Sequence, residues 1–303
     1  MNDVSDVSDI EPGRPAVVFN HIPKTAGTAL AEALVGALHP AHALHALDGV
    51  VFGDLAQLGT VHPKVRAMVL TAPEQIPLDA DFVTGHISPS TTMSRLPAAT
   101  HVTVLREPRT RIVSLWLFSR SRPARESRRL GAYGDRIRRS ELPLVDYLAD
   151  PAVALAVDNM ITRFLVWPHP LARDEAFIDP GDDETLLAAA RGRLERFDHV
   201  GLVEDRRMAE RLGAFLGAPL AVPTRNETPS SRGGAVDVAA EVETAADLLG
   251  ACSRLDRQLW NQVAASLLPD EDLGELADRS LARAVSRYAV TTRRGPWFGG
   301  RAR

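Results

Sequence analysis

The feature that most constrains this chain lies near its start, where a strand-like run, a glycine-containing loop and an apolar helix follow one another without a gap. Ala16 to Asn20 reads AVVFN and is bounded by Pro15 on one side and by Pro23 and Gly27 on the other. A short run rich in β-branched and aromatic residues, closed by turn-formers, predicts a buried strand. From Thr28 onward Leu30, Leu34 and Leu38 recur every four residues with Ala29, Ala33 and Ala37 between them, which predicts a helix ending near His39-Pro40. Strand, tight loop and helix make the first unit of a parallel α/β sheet.

Three later segments repeat the theme: Asp81 to Gly85 (DFVTG), His101 to Leu105 (HVTVL) and His199 to Val203 (HVGLV). HVTVL runs through Arg106-Glu107-Pro108 into Thr110 to Ser119, a helix apolar on most faces and so expected to be buried. HVGLV leads to a helix carrying Met208, Leu212, Phe215 and Leu216 at helical spacing, with Gly217 as its stop. Four such units predict a doubly wound sheet. Leu142 to Val166 and the chain from Val236 onward read as helical, with Leu248, Cys252, Leu255, Leu259 and Val263 forming one stripe and Cys252 a buried packing residue. Residues 16–290 are expected to form a single domain, between a disordered segment 1–15 and a basic tail 291–303.

Composition narrows the function classes. With 303 residues, 45% hydrophobic and 24% charged, the chain is globular rather than collagen-like, disordered or a disulfide scaffold. Cys252 is the single cysteine, so no intramolecular disulfide and no multi-cysteine metal site can form. No apolar run approaches the roughly 18 residues that span a bilayer, and the acidic start lacks the pattern of a secretory signal. The expectation is a cytoplasmic protein with no membrane partner. The net charge of −4 conceals an uneven distribution, because Arg106 to Arg139 holds eleven arginines against three acids. A single basic stretch in an acidic body predicts a localised anion site, and with only 5% aromatic residues it argues against nucleic acid as a partner.

Lysine usage singles out one residue. Of 35 basic residues only Lys24 and Lys64 are lysine, so this sequence writes arginine wherever a generic positive charge would serve. A compact, rotatable ammonium suits a site that must place a point charge on one oxygen. Lys24 stands in HIPKTAGT, His21 to Thr28, between the first strand and the first helix. Gly27 permits close backbone approach, the free amides of the first helical turn point out of the loop, and Lys24, Thr25 and Thr28 add donors. The loop is built to cradle a phosphate or sulfate. It differs from GxxxxGK[ST], in which lysine directly follows the second glycine, because Lys24 precedes Gly27 by three residues.

At these residues the chain resembles the sulfotransferases that use 3′-phosphoadenosine-5′-phosphosulfate (PAPS), in the branch that holds the heparan sulfate 2-O-sulfotransferases and related carbohydrate enzymes. In that family a loop of the IPKTAGT kind binds the 5′-phosphosulfate, and a later motif binds the 3′-phosphate through an arginine and, eight residues on, a serine. LREPRTRIVSLWLF supplies Arg106 and Ser114 at that spacing, with Pro108 and Arg111 in register. The resemblance implies a P-loop-like three-layer fold with a central parallel sheet and a helical C-terminal region. It implies PAPS as donor, no metal, and a donor site made by Lys24, Thr25, Ala26, Gly27, Thr28, Arg106 and Ser114. By position alone, Arg225 in the loop 224–234 joins that set.

Sulfuryl transfer also needs a base for the acceptor hydroxyl, and histidine titrates near neutrality. His86, in TGHIS at a strand end, matches the glycine-histidine step that carries the base in this branch, with His21 as the reserve. The catalytic pair expected here is His86 and Lys24. Asp158 to Arg163 (DNMITR) resembles a family segment near the acceptor side, while Glu204 reads as a helix-start acid. The acceptor is a hydroxyl-bearing small molecule or glycan, and Arg120 to Arg139 is placed to guide an anionic one. The expected lack of an anchor and the single cysteine set the chain apart from the family's membrane-anchored animal members, while its alanine- and arginine-rich, lysine-poor composition looks bacterial and suggests a cytoplasmic glycan or a secondary metabolite as acceptor. Two other classes share the same cradle: a nucleotide or small-molecule kinase, and a non-catalytic PAPS-binding module. Oligomeric state is not encoded in any motif here.

Overall fold

The computed structural model describes residues 16–222 and 236–293. Five strands, β1 (Val17–Asn20), β2 (Ala43–Leu47), β3 (Phe82–His86), β4 (Thr100–Leu105) and β5 (His199–Leu202), form an all-parallel sheet in the order β2-β3-β1-β4-β5. The four expected strands are present. β2 is the addition, an edge strand whose ALHAL sequence holds no β-branched residue.

Strand alternation divides the core into two faces. Val17, Phe19, Phe82, Val102 and Val104 pack with Leu30 and Leu34 of α1 (Gly27–Leu38) and with Leu212 and Leu216 of a later helix, Met208–Leu216. Val18, Val83 and Ala46 point the other way, against Ile76, Ile87 and Leu96. The sheet is therefore covered on both sides, which explains the near-continuous apolar runs of its central strands. Leu30 and Leu34 are fully buried, each contributing about 1.5–3 kcal/mol of transfer free energy.

A second helix, α2 (Gly49–Phe52), follows β2, α3 (Pro89–Arg95) follows β3, and α4 (Pro108–Ser121) follows β4. α4 is two residues longer at each end than its apolar run, because Pro108 suits the first helical position and Ser121 precedes the extended Arg122. The Leu142–Val166 segment is broken rather than continuous, ending in α5 (Met160–Val166). Leu216 ends its helix (α6, Met208–Leu216) where expected, with Gly217 in the left-handed region at φ 68°.

The stripe from Leu248 to Val263 is shared by two helices, α7 (Ala246–Ala251) and α8 (Arg254–Leu267). The break has a visible cause: Asn159 donates its amide to the Cys252 carbonyl at 2.6 Å and accepts the Leu255 amide at 2.8 Å. Cys252 is buried, as its stripe position predicts. The last helix, α9 (Leu273–Arg293), carries regular structure three residues into the segment expected as a tail. Among the described residues no helix is long and apolar enough to cross a membrane.

Candidate functional site

The winding of the sheet reverses at β1, whose neighbours β3 and β4 lie on its two sides. In open parallel sheets such a reversal opens a crevice at the carboxyl ends of the strands. The three central strands deliver His21 and Lys24, His86, and Arg106 to that edge. Asn20, at the end of β1, ties the edge together. Its Nδ2 donates to the Ile87 carbonyl at 2.9 Å and to Thr92 Oγ1 at 3.0 Å, and its own carbonyl accepts the Thr103 hydroxyl at 2.8 Å.

The loop after β1 is held in an uncommon conformation. Lys24 and Ala26 have φ of 71° and 62°, in the left-handed region that non-glycine residues rarely occupy, and such strain clusters at ligand sites. Ala26 precedes α1 with no side chain closing the helix start, so the first-turn amides keep no intrahelical acceptor. Gly27 is required here, because a Cβ on it would sit 1.9 Å from the His21 ring. Thr28 and Ala26 are exposed. Thr25 behaves differently from expectation: its buried hydroxyl donates to the Ile22 carbonyl at 2.9 Å, so it shapes the loop rather than presenting a donor.

Arg106 reaches this loop directly, its Nη1 donating to the Lys24 carbonyl at 3.0 Å. Its Nε is buried and has no hydrogen-bond partner among the described residues. Ser114 is buried two turns into α4. Arg111, fully buried between them in sequence, donates Nη2 to the Ala156 carbonyl at 3.1 Å, and among the described residues its Nε and Nη1 have no partner. The Asp256 carboxylate is the largest of the nearby charges that offset the burial of Arg111. Arg225 and the rest of 223–235 lie outside the described residues.

The Lys24 ammonium is drawn down from the ordinary lysine value to about 7, first by burial and then by the cations Arg106, Arg122 and Arg111. It lies 3.8 Å from the centroid of the Phe118 ring on α4. This contact was not legible in the motif, although Phe118 stands four residues beyond Ser114, one helical turn along the same face.

His86 is half-buried, and its Nδ1 lies 2.7 Å from the His21 carbonyl oxygen. A carbonyl can only accept, so Nδ1 carries the proton and Nε2 the free lone pair. Burial is the main cause that lowers His86 to about 4, so the ring is neutral at physiological pH. The preceding Gly85 has φ 131°, and a Cβ there would lie 1.9 Å from the Ala46 carbonyl oxygen, which explains the glycine-histidine step. His21 packs between Phe19 and His86, with ring centroids 5.7 and 4.5 Å away, and burial holds it well below its ordinary value. Asp48 supports this edge: its amide donates to the His86 carbonyl, and its carboxylate accepts from the Ser88 amide and hydroxyl and from Thr91. The run of hydroxyl residues after His86 was the sequence signal for that network.

Two other expected segments serve the fold. Asp158 and Arg163 form a fully buried ion pair at 2.7 Å, and Asp256 caps α5 through the amides of Ile161 and Thr162. Glu204 starts no helix. It accepts the Glu107 amide, the Trp260 indole and the Ser280 hydroxyl, so it bolts the α4 start to α8 and α9. Much of the basic stretch is engaged internally, with Arg120 on the Ser140 carbonyl, Arg136 on the Phe52 carbonyl, Arg138 on Asp135 and Arg139 on Asp150. Arg125, Arg128 and Arg129 are exposed. A cleft of about 520 Å³ is lined by none of the expected catalytic or donor-site residues but by Asp54, Tyr133, Arg136, Arg139 and Asp174 among others, and the Tyr133 hydroxyl and both arginines there are already bonded within the protein.

No protein-family model matches the chain, and no curated protein sequence matches it. The functional reading rests on its own residues.

Proposed function

We propose that this chain is a PAPS-dependent sulfotransferase, transferring a sulfuryl group to a hydroxyl of a carbohydrate or secondary-metabolite acceptor. The observation that carries the reading is the convergence of Lys24, Arg106 and His86 at the ends of three adjacent strands, with Arg106 bonded to the Lys24 carbonyl. The residues suit the donor. The Arg106 Nε, which has no partner among the described residues, and the Ser114 hydroxyl would hold the 3′-phosphate, and the open amides from Ala26 to Thr28, at the positive end of α1, would hold the 5′-phosphosulfate. In this reading the phosphate cradle and the sheet are P-loop-like.

The bound donor would supply an already activated sulfuryl group, which leaves the protein with positioning and charge. His86 takes the acceptor's hydroxyl proton at Nε2 while its Nδ1–H stays on the His21 carbonyl. Its low basicity keeps it unprotonated and ready at neutral pH. Lys24 places a compact positive charge where negative charge grows on the departing bridging oxygen, an interaction strongest in the transition state.

A thermal-shift titration with adenosine 3′,5′-bisphosphate, beside 5′-AMP and Mg-ATP, tests the donor site. At about 100-fold excess over its dissociation constant, a ligand that binds only the folded state adds about 2.7 kcal/mol. Selective stabilisation by the bisphosphate that is lost in Arg106→Ala is the expected result. A response to Mg-ATP instead would favour the kinase reading, and no response to any of the three would overturn the proposal. Binding without sulfate transfer from PAPS to any of a panel of hydroxyl acceptors would leave a binding module.

A further inference from the structure

Ser114, Phe118 and Arg122 follow one another at four-residue intervals, so the three share one face of α4 and its C-terminal cap. Two cations sit on the middle residue of that row. The Lys24 Nζ is 3.8 Å from the Phe118 ring centroid, and the Arg122 guanidinium carbon is 5.0 Å from the same centroid. Among the described residues the Lys24 ammonium has no carboxylate partner, while Arg122 also pairs with Glu126 at 3.3 Å. The negative face of an aromatic ring attracts a cation, and two cations at one ring repel each other. Lys24 is therefore held beside the loop by a contact that a neighbouring charge weakens.

We propose that Phe118 is a positioning residue for Lys24: its ring seats the ammonium beside the loop when no anion is bound, and Arg122 keeps that seat weak enough for an entering anion to draw Lys24 away. The proposal rests on the sulfotransferase reading for what the anion is, and on the ring contact alone for the seat. It explains why, among the described residues, the ammonium of this strained loop rests on a ring rather than on an oxygen. It also accounts for the aromatic residue one turn past Ser114, where a helix facing only nucleotide phosphates would gain nothing from a ring. The low basicity of Lys24 agrees with it, since burial and Arg122 are among its causes.

The two lysines make the test direct. In protein labelled with carbon-13 at the lysine side chains, Lys64 is exposed and serves as the internal reference for Lys24. The Lys24 Hε resonance is expected upfield of Lys64 through the ring current, to keep that shift in Phe118→Tyr and to lose it in Phe118→Leu. Adenosine 3′,5′-bisphosphate is expected to move the Lys24 resonance of the wild type toward the Lys64 position. Arg122→Gln is expected to raise the Lys24 titration midpoint above about 7, because a like charge is removed. Circular dichroism on both Phe118 variants separates loss of the seat from loss of the fold, and Phe118→Tyr alone decides if Phe118→Leu does not fold. A Lys24 signal that coincides with Lys64 in the folded wild type, or that ignores Phe118→Leu, overturns the seat. If Lys24 is upfield but the bisphosphate neither binds nor moves it, the seat stands and the sulfotransferase reading fails. If the bisphosphate stabilises the protein while Lys24 stays upfield and unmoved, the donor reading stands and the release half of the proposal is wrong.

Discussion

Two strand-to-helix junctions lie side by side at the same edge of the sheet, and they are finished in opposite ways. Between β4 and α4 the helix start is sealed: Glu107 accepts the Thr110 amide at 2.7 Å and pairs with Arg109, and Pro108 removes a donor that would otherwise need a partner. Between β1 and α1 the start is left open, with Ala26 as a cap that cannot accept a hydrogen bond and two left-handed residues aiming the backbone outward. The sealed junction offers only its Arg106 side chain to the crevice. The open one offers amides and a helix dipole, so an anion can play the part that Glu107 plays next door.

The comparison breaks most severely at Gly27. Gly27→Ala pushes a methyl into a His21 ring that is already backed by Phe19 and His86, and overpacking of this kind costs about 1–3 kcal/mol. Displacing the loop by about 1 Å is expected to lower sulfate transfer roughly 100-fold. Gly36→Ala in the same helix meets nothing within 4 Å and is expected to stabilise it by about 0.5–1 kcal/mol. Thermal unfolding of the pair, with transfer assays, decides it; equal behaviour of the two variants would mean that the open loop tolerates movement.

A pH profile sharpens the same contrast, since the open junction carries the two shifted groups. In the proposed mechanism His86 acts unprotonated, which holds above about 4, and Lys24 acts protonated, which holds in the free protein below about 7. The kcat/KM for PAPS is therefore expected to stay level between those values and to fall on both sides. Folding stability follows from the same histidine. The unfolded chain binds the His86 proton near pH 6.5 and the folded chain only near 4, so the His86 contribution to stability is full above 6.5 and is lost as the pH falls toward 4. A kcat/KM still rising through pH 9 would remove the Lys24 ammonium from the mechanism.

The smallest effect belongs to the sealed junction. Glu107→Ala is expected to cost about 0.5–2 kcal/mol of stability, as loss of a helix cap does, while bisphosphate affinity stays near that of the wild type. A large loss of affinity would show that the sealed junction shares in binding. The contrast between the two junctions would then disappear.

Much of this edge was legible because its signals are local. β-branched runs marked β1, β3, β4 and β5, four-residue leucine spacing marked α1, and Lys24 stood out because the chain otherwise writes arginine. β2 escaped because ALHAL carries no strand preference of its own; pairing with β3 in register makes it a strand. The C-terminal stripe was right in its buried residues and wrong in its continuity, since the break at Cys252 is set by Asn159, nearly a hundred residues away. Glu204 followed the same rule: its partners come from α4, α8 and α9, so no window of sequence holds them.

The sequence by itself determined the α/β class, the order of the main units and the placing of Lys24, His86 and Arg106 at or just after strand ends, because periodicity and turn chemistry act over a few residues. Only the tertiary structure decided that Thr25 turns inward, that His86 keeps its Nε2 lone pair free, and that Lys24 rests on Phe118 beside Arg122. Those outcomes depend on which atoms meet across strands and helices far apart in the chain, where hydrogen bonds and ring contacts act over a few ångströms and spacing in sequence carries no information about them.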